Sequence, residues 1–136
     1  QLVCIDGSPE MVKAANEAFS LNAITALFGD LDAIALYDGI WANFSLLHAA
    51  KADFPTYLKA IHTALKPGGL FFISLKSGKG EKRDQLGRFY AYYQEDELET
   101  LLLQTGFTPE HTRRGALRGM AGVVEDWFGV LSWKER

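Results

Sequence analysis

The stretch from Tyr37 to Leu75 leaves the chain few ways to fold. Leu70-Phe71-Phe72-Ile73-Ser74-Leu75 is the most hydrophobic run of the sequence and reads as a central or near-central strand. Tyr37 to Phe44 is an earlier strand, apolar on both faces after Gly39, as expected of a parallel strand covered by helices on both sides. Between the two, Asp53 is a plausible helix cap, Leu58, Ile61 and Leu65 mark a buried stripe with His62 at its margin, and Lys66-Pro67-Gly68-Gly69 ends the helix. Strand, helix and strand at this spacing make a parallel pair joined by a right-handed crossover.

The opening stretch, Leu2 to Met11, has the same grammar. Leu2-Val3-Cys4-Ile5 reads as a short buried strand, and Asp6-Gly7 ends it. Ser8 then caps a helix, Pro9 takes the first helical position, and Glu10 places an acid where the helix dipole favours it. Ligands of open α/β sheets bind at the carboxyl ends of the strands, where an acid after the second strand of a nucleotide-binding half holds a ribose diol. The alternative is that Asp6 only assists the cap. In the helix that follows, Met11, Ala15, Ala18 and Phe19 share one stripe, with Lys13, Asn16 and Glu17 opposite.

Ala23 to Phe28 is a second short strand, closed by Gly29-Asp30-Leu31-Asp32. Asp30 and Asp32 are too few oxygen ligands for a metal site, and no metal is expected. Ser45 to His48 is a loop or short helical turn beyond the Tyr37 strand. Lys76 to Arg88, polar and glycine-bearing, reads as a mobile loop, and its pattern does not fit a phosphate loop. Phe89, Tyr90, Tyr92 and Tyr93 are core or pocket wall. Glu95-Asp96-Glu97 starts a helix with Leu98, Leu101 and Leu102 inward and Gly106 at its end. Thr108 to Arg114 and Trp127 to Trp133, joined by the glycine-rich stretch Gly115 to Gly122, form an antiparallel hairpin at one edge of the sheet.

Composition narrows the partners. Of the 136 residues 48% are hydrophobic and 23% charged, which suits one soluble globular domain over residues 1–136. A formal charge of −3 gives no basic face for nucleic acid. No stretch approaches a membrane span, and no signal peptide is recognisable. The single cysteine, Cys4, sits in the first strand as a structural thiol, so a cytoplasmic location is expected.

Several stretches together resemble the class I S-adenosylmethionine-dependent methyltransferases, in their small-molecule branch. They are Ile5 to Met11, Gly29-Asp30-Leu31, Tyr37 to Asn43 with Leu46-Leu47-His48, Ala64 to Gly69, and Glu97-Leu98 to Gly106-Phe107. The resemblance implies a Rossmann-like α/β fold: a mostly parallel sheet, helices on both faces and a C-terminal antiparallel hairpin. It implies S-adenosylmethionine as cofactor and a small-molecule methyl acceptor as partner. Asp6, with Gly7 and Ser8 in its turn, would take the ribose hydroxyls, and Met11 would lie on the adenine. Gly29, Asp30 and Leu31 would meet the adenine amino group, and Asn43 and Phe44 the methionine part. His48 is the first candidate for a catalytic base and Tyr93 the second. Lys76, Arg83 and Arg88 could hold an acidic acceptor, although long cations in a polar loop are more often just solvated.

The family's first strand, with its glycine-rich turn, would precede Leu2 and is absent. Roughly 30 residues would make up that strand and its helix. The expected outcomes are a fragment of a longer protein, a homodimer in which a partner chain fills the gap, or a rearranged sheet. Two other functions fit parts of the chain. One is a non-catalytic methyltransferase-like domain acting in binding or interaction. The other is a nicotinamide-dependent oxidoreductase, disfavoured because no tyrosine is followed four residues later by lysine.

Overall fold

The computed structural model describes all residues from Gln1 to Arg136. They gather into two compact units, Gln1–Asp32 and Ala33–Arg136.

In the first unit, β1 (Ile5–Asp6) leads into α1 (Pro9–Phe19) and returns as β2 (Ile24–Thr25), which pairs with β1 in parallel. The helix begins where the sequence says it should. Ser8 is extended, and its Oγ accepts the Met11 N–H at 3.3 Å with Pro9 in the first turn. Two expectations are corrected. The strand expected over Leu2 to Ile5 is formed only at Ile5–Asp6, because its only partner, β2, is itself two residues long. The inward side of α1 is not the stripe of Met11, Ala18 and Phe19, which are exposed. It is Val12, Ala15 and Asn16. Asn16 turns inward because its side-chain amide pairs with both backbone groups of Ala23, Nδ2 donating to the carbonyl at 3.1 Å and Oδ1 accepting the N–H at 2.8 Å. A polar side chain so satisfied is free to face inward.

The second unit is built on a four-stranded sheet. β3 (Tyr37–Asn43), α2 (Phe54–Ala64) and β4 (Leu65–Lys76) form the expected crossover, with Ile40 beside Phe71 and Asn43 beside Ser74 in a parallel register. The hairpin β5 (Glu81–Arg83) and β6 (Phe89–Ala91) follows, then α3 (Glu95–Thr105), β7 (Phe107–Arg118) and β8 (Val124–Lys134). The sheet order is β3-β4-β8-β7, with β8 antiparallel to both neighbours. The parallel pair and the C-terminal antiparallel hairpin are both present, and the sheet is mixed rather than purely parallel because the hairpin sets β8 against β4. Alternation along the strands makes two faces. Phe71, Ile73, Leu75, Phe128 and Val130 face the core, which Leu58 and Ile61 of α2 and Leu98 and Leu102 of α3 complete.

Other boundaries shift for local reasons. β3 was expected to be covered on both faces, yet only Ala42 of its residues is buried. Asp53 stands at the cap position of α2 without a side-chain bond to the helix. The helix ends at Ala64, and Leu65 to Gly69 already belong to β4. Gly69 is required there, since a Cβ would fall 2.9 Å from the Lys66 carbonyl and 3.2 Å from that of Asp38. Lys66 Nζ meets Asp38 Oδ1 at 2.9 Å and ties the starts of β3 and β4 together. The stretch read as a mobile loop, Lys76 to Arg88, instead carries β5 and the turn into β6. Asp84 builds that turn, accepting from the N–H groups of Leu86 and Arg88 at 2.9 Å each and from Arg88 Nε at 2.8 Å. The C-terminal strands are longer than expected and absorb Gly115 and its neighbours. No helix is long and apolar enough to cross a membrane.

Candidate functional site

The residues singled out from the sequence fall into both units, and each group has its own geometry. In the first unit Asp6 ends β1 and Oδ1 accepts the Ser8 N–H at 2.8 Å. That is the capping role, and it occupies one oxygen. Oδ2 has no protein partner and stays open to a donor. Ser8 Oγ, besides capping, donates to Glu10 Oε2 at 3.0 Å. The backbone and that hydroxyl hold the Glu10 carboxyl below its usual range. Met11 is 59% exposed, so its side chain is available to a flat ligand instead of being spent in a core. Gly29 and Asp30 lie in a single 3₁₀ turn, Phe28–Asp30, where Asp30 Oδ2 accepts the Leu27 N–H at 2.7 Å. Leu31, half-buried, follows it.

In the second unit the carboxyl ends of β3 and β4 form a small polar device. Phe44 has a positive φ of 51°, a conformation that costs a non-glycine residue about 1–3 kcal/mol and persists only where its surroundings hold it. Its N–H donates to Ser74 Oγ at 2.8 Å, and Ser74 Oγ donates to Asn43 Oδ1 at 2.7 Å. The Phe44 ring meets Trp127 edge to face at 5.7 Å. Ser74 is fully buried. Sequence reasoning passed over it, although a lone hydroxyl inside the most apolar run of the chain is a visible signal.

His48 closes the 3₁₀ turn Leu46–His48, which Leu46 and Leu47 anchor by complete burial. Its ring is exposed, 4.7 Å from Tyr90, and its Nδ1 lies 2.9 Å from the Phe89 carbonyl oxygen. A carbonyl only accepts, so Nδ1 carries a proton and the other ring nitrogen, Nε2, is left without a protein partner.

The other residues suggested for acid–base or anion work are otherwise engaged. Tyr93 is buried with its hydroxyl unpaired. Burial first, then the charges of Glu97 and Glu81, push its pKa far up, which unsuits it as a base. Lys76 pairs with Glu125 at 3.0 Å beneath the ring of Tyr90, Arg88 pairs with Asp84, and Arg83 bonds the Gly87 carbonyl. Lys76 and Arg88 are thus neutralised by carboxylates, whereas exposed Arg83 makes only the carbonyl bond and no ion pair. Tyr92, near Glu125, is raised to about 12, chiefly by burial.

On the face of the sheet away from the core lies a cavity of about 680 Å³, bordered by Trp41, Asn43, Phe72, Arg113 and Trp127 among others. Trp41 and Phe72 stack at 4.0 Å.

Comparison with known proteins agrees with this architecture. A methyltransferase-domain family matches residues 1–69, half of the chain. The chain belongs to this family, the class I S-adenosylmethionine-dependent methyltransferases. It is 29% identical over 87 residues to the carboxy-S-adenosyl-L-methionine synthase of Geobacter metallireducens, a match covering 59% of this chain and 36% of that protein. The Shewanella pealeana counterpart is 28% identical over 108 residues, covering 75% and 39%. The chain thus spans less than two-fifths of the length of these curated relatives. The crystal structure of Burkholderia thailandensis 1,6-didemethyltoxoflavin-N1-methyltransferase, with 1,6-didemethyltoxoflavin and S-adenosylhomocysteine bound, superposes with a TM-score of 0.78 at 28% identity, over 98% of this chain and 61% of that one. A Methanosarcina mazei methyltransferase superposes at 0.84 over 98% of this chain and 81% of that one, and at 16% identity shares the fold alone.

Proposed function

We propose that the protein transfers a methyl group from S-adenosylmethionine to a nitrogen or oxygen of a small molecule. The observation that carries this reading is Asp6, a carboxylate at the end of a strand with Oδ1 fixed by Ser8 and Oδ2 open. Two vicinal hydroxyls need an acceptor held still, and the cap supplies that rigidity. Charge-assisted hydrogen bonds to such a group are worth about 1.5–3 kcal/mol each. Gly7 and Ser8 shape the turn, exposed Met11 offers the adenine an apolar surface, and Gly29, Asp30 and Leu31 are assigned to its amino edge. Asn43 and Phe44 are assigned to the methionine part. The solved relative at 28% identity, whose bound ligands are 1,6-didemethyltoxoflavin and S-adenosylhomocysteine, supports a small-molecule acceptor.

When bound, the cofactor supplies a methyl group on a sulfonium, which leaves as a neutral thioether without needing a proton. The protein's part is then to hold the acceptor in line with the C–S bond, and orientation of that kind contributes about 7–11 kcal/mol in favourable cases. As the new bond to nitrogen or oxygen forms, the acceptor's proton must go elsewhere. His48 Nε2, the ring nitrogen not engaged by Phe89, is assigned to take it.

The test is calorimetric titration of the full-length protein with S-adenosylhomocysteine. Asp6→Ala should weaken binding at least about tenfold, or ~1.4 kcal/mol. Asp6→Asn, which keeps an oxygen for Ser8, should weaken it while leaving α1 helicity intact. Unchanged affinity in both variants overturns the assignment.

A further inference from the structure

Resting on the methyl-transfer reading, we propose that Ser74 is a positioning residue for S-adenosylmethionine. Its hydroxyl holds Asn43 and Phe44, the residues assigned to the methionine part, in their binding shape before the cofactor arrives. Ser74 is fully buried, so it acts through those two residues and not by contact.

A backbone outlier points to it. Phe44 and Ser20 both have positive φ, 51° and 53°. Ser20 is the C-cap of α1, where a helix end accounts for the conformation. Phe44 follows β3, and no helix ends there. Strain of this kind persists only where the surroundings over-determine it, and here a single hydroxyl joins the two residues concerned. Ser74 Oγ accepts the Phe44 N–H at 2.8 Å, which fixes the direction of the planar Asn43–Phe44 peptide. It donates its one hydrogen to Asn43 Oδ1 at 2.7 Å, which fixes the side-chain amide. Turned round, that amide would leave the hydrogen without an acceptor in a buried place, a loss the observed orientation avoids.

Both bonds are kept dry. The Phe44 ring meets Trp127 of β8 edge to face at 5.7 Å, and β4 lies between β3 and β8. The contact therefore passes over β4, and Ser74 beneath it is cut off from solvent. Water cannot take the place of the hydroxyl there, so its loss strands the Phe44 N–H and Asn43 Oδ1 together. Phe44 would then relax out of its strained conformation and carry Asn43 with it. A ligand that needs both residues in place would have to restore their arrangement at the expense of its own binding. A ligand without the methionine part would not.

Two probes separate this role from a merely structural one: S-adenosylhomocysteine and adenosine, which lacks the amino-acid arm, each titrated calorimetrically into the full-length protein. Ser74→Ala should weaken S-adenosylhomocysteine about tenfold and leave adenosine affinity unchanged. Phe44→Gly adopts a positive φ without strain. In that background Ser74→Ala should therefore cost S-adenosylhomocysteine only about threefold, the share that acts through Asn43. Equal loss of both ligands, loss of neither, or the same factor with and without Phe44→Gly overturns the proposal. Should Ser74→Ala fail to fold, Ser74→Cys, a weaker donor and acceptor, decides the matter by the same ratio of ligands. The native protein distinguishes the two failures. If it binds both ligands and Ser74→Ala binds them equally well, the role of Ser74 is refuted and methyl transfer stands. If it binds neither, the methyl-transfer reading falls and the role of Ser74 falls with it.

Discussion

The two units solve the problem of holding a shape in opposite ways. No residue between Gln1 and Asp32 is buried, whereas the second unit holds every buried side chain of the protein, from Ala42 to Ser132. The first unit relies on local hydrogen bonds: Ser8 on Met11, Asp6 on Ser8, Asn16 on Ala23. The second relies on apolar area removed from water. The lesson is that the motif most legible in the sequence, the Asp6 corner, belongs to the unit with the least packing. Motifs of capping and turn chemistry are written in consecutive residues. Cores are written in contacts far apart in the chain.

The largest expected effect sharpens that contrast. Phe71 is fully buried and lies 5.1 Å from Phe107 across the core. Phe71→Ala should cost about 3–5 kcal/mol in denaturant unfolding. Phe19→Ala, at a ring 74% exposed, should cost about 0.5 kcal/mol or less. Comparable losses from both would show that the first unit has a core of its own and break the comparison.

The same contrast explains what the sequence could and could not say. Ser8-Pro9-Glu10 named the start of α1 to the residue because a cap, a proline and an acid act on the turn they occupy. The inward face of that helix was misread because Asn16 is satisfied by Ala23, seven residues on, and no periodicity of apolar residues reports such a pairing. The hairpin of β5 and β6 was hidden for a related reason. Its turn is held by the carboxylate of Asp84, so a stretch that looks too polar to be ordered is ordered by its polar groups. At the candidate site, Asp6, Asn43 and His48 were visible as residue types at strand ends. Ser74 was not, since its meaning depends on Asn43 and Phe44 arriving from the neighbouring strand.

A smaller effect tests whether the first unit depends on its caps. Ser8→Ala removes the acceptor of the Met11 N–H and should cost α1 about 1 kcal/mol. Amide exchange should quicken through the first turn of the helix while the protected amides of β4 and β8 keep their rates. Equal acceleration in β4 would mean that the cap serves the whole molecule, and the division drawn between the units would fail.

The smallest effect comes from pH and belongs to the second unit. His62, near the end of α2, packs edge-on against Phe107 at 5.0 Å. Burial first, then the charge of Lys134, hold its imidazole below the usual 6.5, against an opposing hydrogen bond with the Gly106 backbone. Lys134 is fixed there because its ammonium donates to the carbonyls of His62 and Leu65 at 2.7 and 2.8 Å. The folded state therefore takes up the proton at a lower pH than the unfolded chain. Above 6.5 neither state binds it and the stability is undiminished. As pH falls through 6.5 the unfolded state is protonated first, so stability declines until the folded value is passed and then levels off. Unfolding midpoints measured on either side of 6.5 should show this decline in the native protein and lose most of it in His62→Gln. The substitution also lowers the baseline through the lost ring contact, so the slope and not the midpoint carries the result. An imidazole titrating above 6.5 by NMR in the folded protein would reverse the sign of the effect.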